Sequence, residues 1–279
     1  MTWMAFAVAA CLGYGSLSGS VSPQCLTGPV QPRQPIFQDD LNHAQVDRLQ
    51  RLARVITVKV LAGMNRGSGI LIHRQGQIYT VLTNQHVVTP GPPYLIQTPD
   101  GWAYPATLIK KVDFQGDDLQ LLQFKSGQRY ELARLGRTQA MKIGQPVVSA
   151  GFPIEPHPQA TAGFLVSLGQ VSLLPQKPLQ RGYQLAYTNP IYQGMSGGPV
   201  LNVQGEVVGI NSLHAYPLWG NPYIFKDGSQ PLPQERAIVI SSSWAVPVDT
   251  FICRALPSAR SILPTSLKPS DFCVPPPTS

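Results

Sequence analysis

Charged residues are scarce in this sequence. Asp, Glu, Lys and Arg make up 13% of its 279 residues, whereas Pro and Gly are frequent, at 28 and 25 copies. Long solvent-exposed helices need many charged residues and few helix breakers, so this composition argues against a largely helical body. It favours an all-β body of short strands and turns, and the length suffices for one large β domain or two small ones.

The sequence also lacks the patterns that bind metals or nucleic acids. It has no CxxC pair and no Cys/His cluster, which predicts no structural zinc, no other metal and no organic cofactor. The formal net charge is +7, but basic residues are scattered except for Arg48, Arg51 and Arg54 and the pair Lys110 and Lys111. Without a basic stripe interleaved with aromatic residues, no nucleic-acid partner is predicted.

No apolar run near the start is long enough for a stable membrane-spanning helix. Residues 3–12 are apolar and uncharged, which is typical of a signal peptide, so 1–23 is predicted to direct export to the periplasm or the exterior. The usual basic n-region is missing, because no Lys or Arg precedes Arg33. Residues 8–11, VAAC, are similar to a lipobox, which leaves two alternatives: a lipid anchor at Cys11, or a cysteine inside a removed signal.

Four cysteines leave the disulfide pairing open. If Cys11 is removed or lipidated, Cys25, Cys253 and Cys273 remain. A bond between Cys253 and Cys273 would close a loop of about twenty residues and contribute about 3 kcal/mol. A bond from Cys25 to either of the other two would instead tie the two ends of the chain together.

Linker, helix and tail segments flank the central part of the chain. Residues 24–38 are rich in Pro and Gln and are predicted to be a linker. A single helix should follow, capped by Asp39 or Asp40, with apolar residues at helical spacing as far as Leu52. The Pro- and Ser-rich residues 251–279 are expected to be extended or disordered.

Short strand patterns fill the chain between the helix and the tail. They begin at Val55 and form two successive sets, with a boundary near residues 140–147; the second set ends in the strand pattern of residues 237–248. Two sets of short strands predict two barrels. The predicted fold is therefore an all-β double six-stranded barrel over residues 39–250, with one N-terminal helix.

A glycine-rich segment around Ser196 is typical of a nucleophile. Residues 194–199 read GMSGGP, and glycines on both sides of a serine allow a sharp turn that directs the N–H groups of Gly194 and Ser196 to one point. Such donors would stabilise an oxyanion. Taken alone, the segment is better explained as a turn before the strand that begins at Val200.

Two earlier segments supply the other residues of a catalytic triad. A serine hydroxyl needs a base to take its proton and a carboxylate to orient that base. His86 follows the strand pattern LTNQ, and the adjacent Asp117 and Asp118 precede the strand pattern LQLL. Either aspartate is a candidate, because strand alternation should direct one inward and one outward.

These segments, in the order His, Asp, Ser, resemble the trypsin-like serine endopeptidases, and most closely the bacterial HtrA/Deg-type protease domain. The resemblance covers about residues 53–250. It implies a double β-barrel with His86 as base, Asp118 rather than Asp117 as the orienting acid, and Ser196 as nucleophile. It further implies polypeptide substrates and peptide-bond hydrolysis through an acyl-enzyme.

The resemblance also locates the pocket for the residue before the cleaved bond. Its predicted walls are Pro190, Ile191 and Tyr192 on one side and Asn211, Ser212 and Leu213 on the other. None is a carboxylate, so a basic side chain would be buried unpaired, and small or medium apolar side chains are expected.

The sequence also departs from the family pattern. Met195 stands where the family usually has Asn or Asp, so activation by release of a new N-terminus is not expected, and the remaining length leaves no room for a carboxy-terminal PDZ domain. A catalytically silent, peptide-binding module of the same fold is the alternative function. An esterase of the α/β-hydrolase class is disfavoured, since its order is Ser, Asp, His.

Overall fold

The computed structural model of the protein describes residues 41–215, 222–263 and 272–273, which all belong to one unit. The predictions made for the export signal, the lipid anchor at Cys11, the linker and Cys25 lie outside the described residues. So do Asp39 and Asp40.

The first six strands close into a barrel. Their order around it is β1-β2-β3-β6-β5-β4, and every neighbouring pair is antiparallel. Alternate residues of each strand face the interior; in β1, for example, Val58 and Val60 are buried on either side of the half-buried Lys59. The strands are β1 Thr57–Ala62, β2 Asn65–Gln75, β3 Ile78–Thr83, β4 Tyr94–Gln97, β5 Ala103–Leu108 and β6 Gln120–Lys125.

The remaining strands form a second barrel. Six of them run in the order β11-β8-β9-β10-β13-β12, and pairing between β11 and β12 closes the ring. A short additional strand, β7, joins β12 in parallel. These strands are β7 Arg134–Leu135, β8 Pro146–Gly151, β9 Leu165–Leu173, β10 Leu185–Tyr187, β11 Pro199–Leu201, β12 Glu206–Leu213 and β13 Ser243–Pro247. The predicted double six-stranded barrel is confirmed.

The predicted N-terminal helix is present as α1, and the described residues contain three further α-helices that the sequence did not predict. The four helices are α1 His43–Ile56, α2 Gln85–Val88, α3 Arg236–Ser241 and α4 Val248–Ala259. The side chain of Asn42, rather than an aspartate, caps α1 in a capping box with Gln45. The expected strand at 237–248 is divided between α3 and β13.

Helix α4 corrects the expectation of an extended or disordered tail from residue 251. Phe251, Ile252, Ala255 and Ala259 recur at helical spacing and are all buried in the core. This apolar face stabilises the helix by packing against the second barrel, whereas the Pro and Ser content of the segment suggested no structure. Within the described residues, no helix is both long and apolar enough to cross a membrane.

A disulfide joins α4 to Cys273, with the two Cα atoms 5.4 Å apart in the Cys253–Cys273 bridge. The pairing left open by the sequence is thereby decided. Because the bridge closes a short loop, its loss should lower the free energy of unfolding by about 3 kcal/mol. Urea unfolding with and without a thiol reductant measures this. The variant Cys253→Ser should unfold at the lower urea concentration in both conditions, and a native protein insensitive to reductant would contradict the prediction.

Candidate active site

His86 and Asp118 meet at one edge of the first barrel. Thr83, the last residue of β3, pairs with Gln120, the first residue of β6, so residues just after β3 and just before β6 share that edge. His86 Nδ1 lies 2.6 Å from Asp118 Oδ2, and the His86 backbone N–H donates to Asp118 Oδ1 at 3.0 Å. The carboxylate therefore binds both the ring and the backbone of the histidine, which fixes the orientation of the imidazole.

Asp118 is fully buried, and two residues absent from the sequence predictions complete its hydrogen bonds. Arg181 Nη2 donates to Oδ1 at 2.9 Å, and the Tyr183 hydroxyl donates to Oδ2 at 3.0 Å. The Asp118 N–H also donates to the Arg181 carbonyl oxygen at 2.8 Å, while Arg181 adopts a left-handed backbone with φ of 65°. The connection between β9 and β10 thus holds the aspartate through both main chain and side chain.

The charge of Asp118 follows from this environment. Burial raises the pKa of its carboxyl, but the hydrogen bond and charge of His86, together with the charge of Arg181, outweigh burial and lower the pKa below its ordinary value. Burial and the Asp118 charge raise the pKa of the Tyr183 hydroxyl, which keeps it a proton donor. Asp118 is therefore an ionised acceptor for the His86 ring N–H.

Asp117, the rival candidate, faces a different group of residues. It is buried like its neighbour, contrary to the expected alternation, and forms ion pairs with Lys226 and with Arg254 of α4. It therefore connects the first barrel to the C-terminal helix, and no hydrogen bond joins its side chain to His86 among the described residues. Strand alternation does not apply, because both aspartates precede β6 in a turn.

Residues 194–199 of the second barrel, the Ser196 loop, lie against β2 of the first barrel. The Ser68 N–H donates to the Ser196 carbonyl oxygen, and Ser68 Oγ donates to the Gly194 carbonyl oxygen, each at 2.8 Å. Gly197 has φ of +86°, and a β-carbon on it would lie 2.1 Å from the Ser68 carbonyl oxygen. Only glycine permits this approach, so the glycine after the nucleophile candidate fixes the loop between the barrels.

Ser212 links the His86 edge to the Ser196 loop. Asn84, two residues before His86, donates through Nδ2 to Ser212 Oγ at 2.8 Å and to the Asp118 carbonyl oxygen at 2.7 Å. The Ser196 hydroxyl donates to the Ser212 carbonyl oxygen at 3.4 Å. Among the described residues, no hydrogen bond joins His86 to Ser196. Such contacts often tighten only when substrate binds.

Two backbone N–H groups of the Ser196 loop have no acceptor among the described residues: those of Gly194 and Ser196. Gly194 has a φ of +96°. The intervening Met195 is fully buried in the core of the second barrel, and its own N–H donates to the Tyr192 carbonyl oxygen at 2.9 Å. The buried Met195 side chain thus anchors this loop by apolar packing. At this position the family usually has Asn or Asp, and no ion pair with a newly released N-terminus was expected.

The six residues predicted for the specificity pocket fall into two sets. The side chains of one set are buried: Ile191, Asn211 and Ser212. The others are at least partly exposed: Pro190, Tyr192 and Leu213. Asn211 Oδ1 accepts from Tyr187 at 2.7 Å and from Ser149 at 3.0 Å, so its side chain is committed to the barrel interior. The pocket assignment stays a prediction.

The arrangement offers a base oriented by a buried carboxylate, a nearby hydroxyl and free backbone donors, which are the components of acyl transfer. In the part of the chain that the structure describes, no group of three or more His, Cys, Asp or Glu side chains could hold a metal ion.

Comparison with protein families identifies one that covers this site. Residues 67–210, about half of the chain, match the family described as "Trypsin-like peptidase domain". The matched segment runs from Gly67 of β2 through the His86, Asp118 and Ser196 segments to Ile210 of β12.

Individual relatives agree with the family. The "Serine protease HTRA2, mitochondrial" of Drosophila erecta and that of Drosophila sechellia are each 35% identical over 154 residues, covering 53% of this chain and 34% of the relative. The chain thus spans about a third of the length of these curated relatives. The crystal structure of the serine endoprotease from Yersinia pestis is similar in fold, with a TM-score of 0.52, 21% identity, and coverage of 72% of this chain and 62% of that one.

Proposed function

Because the chain belongs to the trypsin-like peptidase domain family, we propose that it is a serine endopeptidase that uses His86, Asp118 and Ser196 as its catalytic triad. The observation that carries the proposal is the buried Asp118, bonded to His86 at the barrel edge where the Ser196 loop of the other barrel docks. Polypeptides are the proposed substrates.

The proposed reaction assigns one role to each group. The Ser196 hydroxyl leaves the Ser212 carbonyl oxygen and attacks the substrate carbonyl carbon while His86 Nε2 takes its proton. The ionised Asp118 holds the ring proton on Nδ1 and stabilises the imidazolium that forms. The N–H groups of Gly194 and Ser196 donate to the tetrahedral oxyanion. His86 then gives its proton to the leaving amine, and water hydrolyses the ester on Ser196 by the same steps.

The proposal also covers which peptide bonds are cleaved and where the protein is located. The absence of a carboxylate from the six pocket residues supports cleavage after small or medium apolar side chains. The apolar run at 3–12 supports export to the periplasm or the exterior, and the Cys253–Cys273 bridge agrees with an oxidising compartment. A lipid anchor at Cys11 stays a prediction.

A fluorophosphonate probe tests the proposal directly, because it labels only an activated serine. The native protein should be labelled at Ser196 and should cleave an unfolded polypeptide, whereas Ser196→Ala should do neither. Ser172→Ala, which changes a half-buried serine of β9 whose hydroxyl is hydrogen-bonded to that of Ser242, is the matched control and should be labelled like the native protein. A native protein that is folded by circular dichroism, unlabelled and still able to bind peptides would be the silent module instead.

A further inference from the structure

A cleft lies beside the proposed nucleophile, between the β1–β2 hairpin of the first barrel and residues 152–163 of the second. Its volume is about 680 Å³. This lies within the range of about 300–1,000 Å³ that is usual for binding sites. Its walls include Lys59, Asn65, Arg66, Gly67, Phe152 and Glu155.

The cleft adjoins both proposed reacting residues. A β-carbon on Gly67, in its wall, would lie 3.2 Å from the Ser196 carbonyl oxygen. Asn65 Nδ2, in the same wall, donates to the His86 carbonyl oxygen at 3.2 Å. A peptide bond held at Ser196 therefore has this cleft immediately to one side.

The predicted specificity pocket lies on the opposite side of the nucleophile loop. Gly197, directly after Ser196, donates to the Asn211 carbonyl oxygen of β12, while Ser196 itself accepts from Ser68 of β2. The loop thus separates β12, which carries the predicted pocket, from the hairpin that lines the cleft. If the acyl half of the substrate occupies the pocket, the leaving half extends along the cleft.

The charged residues of the cleft indicate which kind of side chain in the leaving half of the substrate it would bind. Lys59 points outward from β1, since its neighbours Val58 and Val60 face the barrel core, and its ammonium lies 5.1 Å from the centre of the Phe152 ring. Arg66 is exposed at the start of β2. Neither cation has an ion pair within the described residues.

One carboxylate also lines the cleft. Glu155 makes no ion pair with Lys59 or Arg66 among the described residues, and two cations against one carboxylate leave the cleft with a net positive charge from these three side chains. The two cations without ion pairs and the aromatic ring beneath one of them supply groups that can bind a carboxylate and the apolar stem of its side chain.

We propose that this cleft binds an Asp or Glu side chain in the leaving-group half of the polypeptide substrate, through Lys59 and Arg66. The inference rests on the proposed peptidase function and adds the chemistry of the departing segment. Since Arg66 is exposed, the preference should weaken as ionic strength rises.

Two measurements test the site. The first uses internally quenched peptides that differ from one another at a single residue after the cleaved bond. That residue is Glu, Gln or Lys, and each position after the cleaved bond is tested in turn. Native protein should cleave the best Glu peptide with a kcat/KM about tenfold above its Gln counterpart, and the Lys peptide should be slower still. The same peptides, labelled with a fluorophore, are bound to Ser196→Ala and followed by fluorescence anisotropy, which reads the site without turnover.

Matched variants locate the preference. The double variant Lys59→Met and Arg66→Gln should bind and cleave the Glu and Gln peptides equally, while the exposed Lys110→Met of the same barrel should retain the native preference. Equal treatment of Glu and Gln by the native protein, or a preference that persists in the double variant, would overturn the proposal. Selective binding of Glu peptides by a native protein that cleaves none of them would support the site and contradict the peptidase function.

Discussion

Replacing Asp118 with Asn should lower kcat about 10⁴-fold with little change in KM, the loss seen when the orienting carboxylate of a serine triad becomes an amide. The Asn amide can donate to His86 Nδ1, which leaves the ring proton on Nε2, so the imidazole can no longer accept the proton of Ser196. Arg181 would still donate to the remaining oxygen, and the Tyr183 hydroxyl would accept from the new amide instead of donating to it, so the side chain would stay in place. Steady-state kinetics on a peptide substrate measures the effect.

Asp117→Asn is the matched control for that change. Asp117 is equally buried and adjacent in sequence, but its carboxylate pairs with Lys226 and Arg254. Loss of the Asp117 carboxylate should lower the free energy of unfolding by about 1–2 kcal/mol and leave kcat almost unchanged. If Asp117→Asn lost turnover while Asp118→Asn kept it, the two aspartates would have to exchange roles.

Replacing Gly197 with Ala should cause a large loss of stability for the addition of a single methyl group. The new β-carbon would lie 2.1 Å from the Ser68 carbonyl oxygen and 2.3 Å from Thr83 Oγ1, and φ at this position is +86°. The left-handed backbone alone costs about 1–2 kcal/mol, and the contact forces the two barrels to separate locally, for a total of roughly 3 kcal/mol or more. Because Ser196 is the preceding residue, fluorophosphonate labelling should fall at least a hundredfold.

Gly116→Ala separates the two causes. Gly116 also has a positive φ, of +78°, but a β-carbon there would meet nothing within 4 Å. Chemical unfolding should therefore show only the backbone cost of about 1–2 kcal/mol, with labelling unchanged. If both variants lost equal stability, the close approach of the Ser196 loop to β2 would not be the cause of the Gly197 effect.

Local patterns in the sequence predicted most of the strands, because period-two burial is set by neighbouring residues, but they assigned residues 237–241 of α3 to a strand. They misjudged α4, whose helix depends on packing Phe251 and Ala255 against the second barrel and which its Pro and Ser content concealed. They also missed Arg181 and Tyr183. These residues lie in an irregular connection with no motif, and only the docking of that connection against Asp118 brings them to the site.

The sequence by itself determined the fold class and the candidate residues. Strand periodicity and the glycines around Ser196 are local patterns, and the order His, Asp, Ser can be seen directly along the chain. The tertiary structure places Asp118, which the family resemblance had selected over Asp117, against His86, and it alone decided which cysteines pair and that cations line one side of the nucleophile. Those outcomes depend on contacts between residues far apart in the chain, and the closure of two barrels against each other sets which of those contacts form.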